Sequence, residues 1–281
     1  MLYAQSTDNN MHPNLLIWLA LALLLLYFLI GGRKGVGALT GALRTSSAMK
    51  TVMTAYRAGD YATALQKTED LREGLRKTPE YCFMRGGMLR HLGRLDESEA
   101  SLREALPLHG DPLQKALVYD ALASVLMDQG RFTEAIGFYE SAGRSWPDRG
   151  SNHRGIAEVW LRQEREFPEA LEHARQAVEI DRRATGMPKE ALATRLGEDL
   201  ATLAWAVAVN SADITQVDSL LAEAFPLCGT RSKPILAQIH YHAGRAYEAL
   251  KIPEKARDHF RQAGEIDTQG IFGRLASKMA S

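Results

Sequence analysis

The residue types that most often carry catalysis or metal binding are thinly spread along this chain. His240 and His242 stand two residues apart on a predicted helix, so their side chains point to nearly opposite sides. We expect one of them to be packed and the other solvated, not a metal-binding pair. Asp96, Glu97 and Glu99 fall in the first turn of another predicted helix, where the helix dipole favours carboxylates. Neither group predicts an acid–base or metal site.

Nucleophiles and phosphate loops are not indicated either. Cys82 and Cys228 are far apart, each on or beside a helical apolar stripe, and we expect unpaired structural thiols. The glycines at 35, 37 and 41 follow no strand and are not closed by Gly-Lys-Ser/Thr, so we interpret them as a spacer. No hydrolase elbow or zinc-protease helix motif occurs. We therefore expect no enzyme, no cofactor, no metal and no small-molecule substrate.

The elements that carry these residues are short helices that recur along the chain. Between Asp111 and Pro147 two apolar stripes at helical spacing are separated by Gly130. The first stripe contains Tyr119, Leu122, Ala123 and Leu126, and the second contains Phe132, Ala135, Ile136, Tyr139 and Ala142. This pattern predicts a helical hairpin whose small residues allow the two helices to approach closely.

The hairpin repeats at intervals of about 34–37 residues. Gly59-Asp60-Tyr61 and Gly93-Arg94-Leu95 match Gly130-Arg131-Phe132, and further copies follow at Phe167 and at Pro253. The unit resembles the tetratricopeptide repeat (TPR). The resemblance covers nearly everything after about residue 46. It implies an all-α protein, a TPR-type α-solenoid in which helical hairpins stack into a right-handed superhelix.

A division of the chain follows from these patterns. We predict about six repeats over residues 46–269 and a C-terminal capping helix over residues 270–281, with one apolar face formed by Ile271, Phe272, Leu275 and Met279.

The resemblance also implies where a partner binds, because the first helix of each TPR hairpin lines a concave groove that takes peptides or helices of other proteins. Transferring those positions to this sequence predicts ten groove residues. They are Arg57, Phe83, Arg90, His91, Asp120, Ser124, Asp128, Arg162, Tyr241 and Arg245. A solvated charged face is the alternative interpretation of the same positions.

The N-terminal stretch predicts a membrane anchor. Residues 1–14 are polar with one charge, and residues 15–32 form a chargeless apolar run that is long enough as a helix to cross a bilayer. Residues 33–45 are Gly-rich and basic. No lysine or arginine precedes the run, so a cleaved signal peptide is disfavoured. Because cations near a span stay in the cytoplasm, we expect the N-terminus outside and the repeats cytoplasmic. The periplasmic or outer side is the alternative.

Charge narrows the class of partner. The chain has 34 Lys and Arg residues against 34 Asp and Glu, and this balance argues against a nucleic-acid partner. We therefore expect a membrane-anchored scaffold or adaptor that binds protein partners in its groove and contacts the lipid bilayer through residues 15–32. Two alternatives remain open: a subunit of an envelope, secretion or translocation complex with the repeats outside, and an enzyme or enzyme-regulatory subunit with an unrecognised site.

Overall fold

The structure is a computed structural model. It describes residues 49–70, 78–108, 110–185, 188–228 and 232–280. The predicted polar segment, membrane span and basic linker at residues 1–45 lie outside the described residues. Residues 50–281 form one compact unit.

The described residues form thirteen α-helices and no strand, which confirms the all-α expectation for this part of the chain. The helices are α1 (described from 49 to 57), α2 (Tyr61–Glu69), α3 (Pro79–His91), α4 (Leu95–Ala105), α5 (Pro112–Asp128), α6 (Phe132–Ser145), α7 (Ser151–Arg162), α8 (Phe167–Arg183), α9 (Lys189–Ser211), α10 (Ile214–Cys228), α11 (Lys233–Ala249), α12 (Pro253–Ile266) and α13 (Ile271–Ala280).

Six consecutive helix pairs, α1–α2 to α11–α12, form antiparallel hairpins in the described ranges. Every one of these hairpins turns through a residue with positive φ between 52° and 78°. The first three turns use a glycine, which adopts this conformation without a steric cost. The last three turns use Glu164, Ala212 and Lys251, whose Cβ atoms make the same turn costlier.

Local capping explains where two inner helices begin. The Thr78 hydroxyl accepts a hydrogen bond from the Tyr81 amide at 3.3 Å. The Asp111 carboxylate accepts one from the Leu113 amide at 3.1 Å. In each case a proline follows the cap and occupies the first helical position, where its missing N–H is not needed. A capping side chain followed by proline is a local sequence signal for a helix start.

The core lies between the two helices of each hairpin and between neighbouring hairpins. Ala123, Ala135 and Ala142, the small residues of the α5–α6 pair, are buried. Trp205 of α9 and Phe260 of α12 belong to the largest core cluster, which joins α7 to α13. Burial of apolar surface by stacked neighbours is the main source of stability in such arrays.

The first and the last hairpins of this array meet. The Tyr61 hydroxyl of α2 donates a hydrogen bond to Asp267, at the end of α12, at 2.7 Å. Arg274 of α13 donates to the carbonyl oxygen of His91, the last residue of α3, at 2.5 Å. The inner surface is therefore closed by the chain itself along part of its length, whereas the resemblance implied an open groove.

Within the described residues, no helix combines the length and the apolar character that a bilayer crossing needs.

Candidate partner-binding chamber

The inner helices surround a cavity of about 320 Å³, which we call the inner chamber. Most of its lining comes from the first helix of a hairpin. The lining residues are Tyr56 (α1); Phe83, Arg90 and His91 (α3); Leu117, Asp120, Ala121, Ser124 and Met127 (α5); Tyr139 (α6); Arg149; Ser151, Arg154, Gly155 and Glu158 (α7); Glu198 (α9); Pro234, Ile235 and Gln238 (α11); and Phe272 (α13). The chamber thus corresponds to the concave side of the helical array.

The charged groups of the chamber are largely compensated within it. Arg154 donates hydrogen bonds to Glu198 at 3.1 Å and to Asp199 at 3.0 Å. Arg149 lies 3.1 Å from Asp120, and the same carboxylate accepts a hydrogen bond from Ser151 at 2.5 Å. A chamber with paired charges suits a ligand that carries both donors and acceptors better than a bare ion.

Four chamber-lining side chains hold a buried polar atom without a hydrogen-bond partner in the described part of the chain, and the fourth of these atoms is Oε1 of Glu158, which lies 2.5 Å from Arg162. Oδ1 of Asp120 and Nδ1 of His91 are buried without a hydrogen-bond partner in the described part of the chain. The other ring nitrogen of His91 lies 3.1 Å from the Tyr56 hydroxyl. Burial, together with Arg90 and Arg274, lowers the pKa of His91 well below its usual value, so the ring is neutral at pH 7. Arg149 is the third group, because its Nη1 is out of hydrogen-bond alignment with Asp120.

The two arginines differ in how well their charge is compensated. Burial lowers the pKa of Arg149, and the carboxylates of Asp120 and Glu198 do not offset the desolvation and the repulsion from the neighbouring arginines. Burial acts in the same direction on Arg154, but Glu198 and Asp199 outweigh it and the pKa of Arg154 is raised. Arg149 is therefore the cation of the chamber that gains most from a further acceptor.

A second ion network supports the chamber wall. Asp128 of α5 accepts hydrogen bonds from Arg90 of α3 at 2.6 Å and from Arg162 of α7 at 2.9 Å. Arg162 also lies 2.5 Å from Glu158. Burial raises the pKa of Glu158, but Arg162 and His242 outweigh it and hold the pKa below its usual value. This network ties three successive hairpins together.

The structure separates the ten predicted groove residues into three groups. Five line the inner chamber, namely Phe83, Arg90, His91, Asp120 and Ser124. Four others, Asp128, Arg162, Tyr241 and Arg245, contact other parts of the chain. Arg57 is exposed on α1 and does not line the chamber.

The contacts of Tyr241 and Arg245 show why they are not on an open wall. Tyr241 is buried, with its ring 5.6 Å from that of Phe272 on α13. The Arg245 guanidinium lies 4.9 Å above the Trp205 ring and 3.3 Å from Glu164. The predicted capping helix supplies Phe272, so the chain covers the inner face of its own last hairpin.

Four charged lining residues were not predicted from the sequence: Arg149, Arg154, Glu158 and Glu198. A signal was present on α7, where Arg154, Glu158 and Arg162 recur every four residues on one helix face. A charged stripe on a helix that also has an apolar face indicates that the charged face lines a cavity. Arg149 precedes α7 in a short connection, and nothing in the sequence pattern places it in the chamber.

The histidines do not form metal sites in the described residues. No group of three or more His, Cys, Asp or Glu side chains there is arranged to hold a metal ion. His153 and His173 place their Nδ1 atoms 2.9 Å apart, and His240 and His259 place theirs 3.0 Å apart, as in an N–H···N hydrogen bond. Each of these pairs joins the two helices of one hairpin.

The expectation that either His240 or His242 is solvated is wrong. Both are buried, because α11 packs against α9, α12 and α13 and so has little free surface. Burial lowers the pKa of His240 to about 4. His242 lies with Nδ1 3.2 Å from the Thr202 hydroxyl.

The expected unpaired thiols are confirmed. Cys82 and Cys228 are both free and buried. Burial raises the pKa of Cys228 to about 12, so this thiol is protonated and unreactive at pH 7.

Comparison with known proteins connects this architecture to a repeat family. A family model for the tetratricopeptide repeat matches residues 50–112 and 121–186. No curated protein matches the chain.

Solved structures of repeat proteins resemble it at low sequence identity. TTC0263, a thermophilic TPR protein of Thermus thermophilus, is 17% identical, with 72% of this chain and 98% of that chain covered and a TM-score of 0.49. BtubC from P. vanneervenii is 19% identical, with 79% and 91% covered and a TM-score of 0.47. YrrB, described as a TPR protein with an unusual peptide-binding site, is 20% identical, with 78% and 97% covered and a TM-score of 0.35.

These structural likenesses carry no argument about function. The family match and the six hairpins show the repeat architecture. The predicted tetratricopeptide repeats are confirmed, and the chain carries them over residues 50–112 and 121–186.

Proposed function

We propose that this chain is a scaffold that captures a partner protein in its inner chamber. The observation that carries the proposal is the lining of the chamber, where His91 and Asp120 on first helices and Arg149 in the connection before α7 have unused hydrogen-bonding capacity. Buried polar atoms without partners are costly, so a ligand that pairs with them gains affinity and specificity. A peptide segment supplies donors and acceptors at the spacing of its backbone.

We also propose that residues 15–32 anchor the scaffold in a membrane, with the repeats on the cytoplasmic side. The support is the sequence alone: the run is chargeless, and Arg33, Lys34 and Arg44 follow it. Confinement to a membrane raises the effective concentration of the partner there. A cysteine directly after the predicted linker tests the topology. In intact cells, Ser46→Cys is expected to escape an impermeant maleimide and to react only after lysis. Reaction before lysis would place the repeats outside.

A bulky substitution that blocks the chamber tests whether the partner protein is captured there. Gln238 of α11 lines the chamber, is half-buried and forms no side-chain hydrogen bond in the described residues, so its replacement breaks no contact. We expect Gln238→Trp to fill part of the chamber and to reduce partner recovery at least tenfold when full-length protein is used as bait in solubilised source-cell membranes.

The matched control is a glutamine-to-tryptophan substitution on the outer surface of the helical array. Gln216 lies exposed on α10, and Gln216→Trp is expected to recover the partner at the wild-type level. Circular dichroism should be identical for both variants. Equal recovery by Gln238→Trp and Gln216→Trp would remove the chamber from the binding site.

A further inference from the structure

A second pocket opens between α1, α3 and α5, beside the inner chamber, and has a volume of about 260 Å³. Its walls include Met53, Phe83, Met84, Gly87 and Met88. The volume lies below the ~300–1,000 Å³ that cofactor and drug sites occupy, so the pocket fits one side chain and not a whole small molecule. Methionine side chains are flexible and polarisable, which suits them to apolar partners of varying shape.

Gly87 keeps this methionine pocket open. A Cβ added to Gly87 would meet no atom within 4 Å. The preceding residue, Gly86, behaves differently, since a Cβ there would lie 2.6 Å from Leu102 of α4. Gly86 is therefore required for packing within the hairpin, whereas Gly87 faces empty space in the pocket.

Helix α1 carries two exposed cations at helical spacing from Met53, which lines the methionine pocket. Lys50 and Arg57 lie one turn before and one turn after Met53 on α1. Both are exposed, and neither forms an ion pair in the described part of the chain. Glu80 stands one turn before Phe83 in the first turn of α3, so these two turns together carry two cations and one acid. Uncompensated cations beside an apolar pocket favour ligands with carboxylates next to an apolar group.

We propose that the methionine pocket binds one apolar side chain of the partner and that acidic residues on either side of it pair with Lys50 and Arg57. The proposal rests on the scaffold function above and names the feature of the partner that is recognised. The chain's own N-terminal segment is a poorer occupant, because residues 33–45 carry Arg33, Lys34 and Arg44 and no acid.

Synthetic peptides provide the probe. The first is a capped pentapeptide with a central leucine between two aspartates on each side. A second replaces the leucine by alanine, and a third replaces the aspartates by lysines. Binding to full-length protein in mild detergent is measured by isothermal titration calorimetry. We expect the leucine–aspartate peptide to bind at least tenfold more tightly than either of the others.

Two glycine variants test whether this pocket is the site. A Cβ at position 87 meets no atom within 4 Å, so Gly87→Leu is expected to occupy the pocket and to weaken binding of the leucine–aspartate peptide at least tenfold. Gly137 of α6 also faces open space, so Gly137→Leu is the matched control and should leave the affinity unchanged. Leucine favours a helix more than glycine does, so both variants are expected to fold. Combining Lys50→Glu with Arg57→Glu should make the lysine peptide the better ligand.

The outcomes separate this proposal from the scaffold function. Unchanged affinity in Gly87→Leu, equal binding of the alanine peptide, or no effect of flanking charge would overturn the methionine pocket as the recognition site. Binding that appears only after residues 1–45 are removed would identify the chain's own segment as the occupant and also overturn it. If Gly87→Leu still recovers the partner while Gln238→Trp does not, the scaffold function stands and only the pocket proposal fails.

Discussion

Asp128 is the residue whose contacts hold together the helices of the chamber wall. Its carboxylate is almost inaccessible, with 2% of the side chain exposed, and it bridges Arg90 and Arg162 from the two neighbouring hairpins. A buried charge that loses its counter-charge is strongly destabilising, even though a buried pair adds little net stability. The wall therefore depends on this one acid.

We predict that Asp128→Asn lowers the free energy of unfolding by about 3–5 kcal/mol, because two largely buried guanidinium groups then share no carboxylate between them. The free energy of unfolding is measured by urea titration monitored by circular dichroism. Asp258 pairs with Arg261 on the surface of α12, with both side chains more than half exposed, and serves as the control. Asp258→Asn should leave the urea midpoint close to that of the wild type, because solvent screens an exposed ion pair. Similar losses for the two variants would contradict the buried bridge.

The sequence pattern places a residue on the inner wall where backbone position alone decides, and contact of these residues with a partner stays a prediction. Phe83, Asp120 and Ser124 line the chamber as transferred from the repeat pattern. Tyr241 and Arg245 do not line it, because their surroundings depend on contacts far along the chain. No local pattern reveals that Phe272 covers α11 or that Glu164 reaches Arg245.

Helix pairs in this chain meet through a small residue on the first helix and a large one on the second. A Cβ on Gly86 of α3 would lie 2.6 Å from Leu102, and one on Gly244 of α11 would lie 2.5 Å from Phe260. Ala123 and Tyr139 share one core cluster at the corresponding place of the α5–α6 hairpin. This alternation lets neighbouring helices approach closely and sets the spacing of the inner wall.

We predict that Gly244→Ala lowers the free energy of unfolding by about 1–3 kcal/mol, because the new methyl group overlaps a fully packed ring. Gly137→Ala makes the same chemical change in open space. It should stabilise the protein by up to about 1 kcal/mol, since alanine favours the helix. Thermal and urea midpoints of the two variants are the measurement. A neutral Gly244→Ala would show that this register of α11 on α12 is wrong.

Element boundaries were predictable where the signal is local. Thr78-Pro79 and Asp111-Pro112 mark helix starts, and Gly59, Gly93 and Gly130 mark turns. The later turns at Glu164, Ala212 and Lys251 carry no glycine and gave no such signal. Stacking by neighbouring hairpins makes these less favourable turns tolerable, which is a tertiary effect.

At the scale of the whole repeat unit, contact between its ends converts a concave surface into a chamber. Tyr61 with Asp267 and Arg274 with His91 join the first hairpins to the last helices. The pairing of Tyr61 with Asp267 is buried, and burial raises the pKa of the Asp267 carboxyl despite the hydrogen bond from Tyr61. The repeat period predicted the hairpins but contained no information about where the ends of the array meet.

Capture of a partner inside the chamber is the central claim, and site-specific photo-crosslinking in living source cells tests it most directly. A photoreactive amino acid is placed at Ser124, which lines the chamber, or at Thr133, which is exposed on the second helix of the same hairpin. Full-length protein is used in both cases. We predict a crosslinked partner protein from position 124 and none from position 133. A crosslink from position 133 with none from position 124 would contradict the account, because it would place the partner on the outer surface.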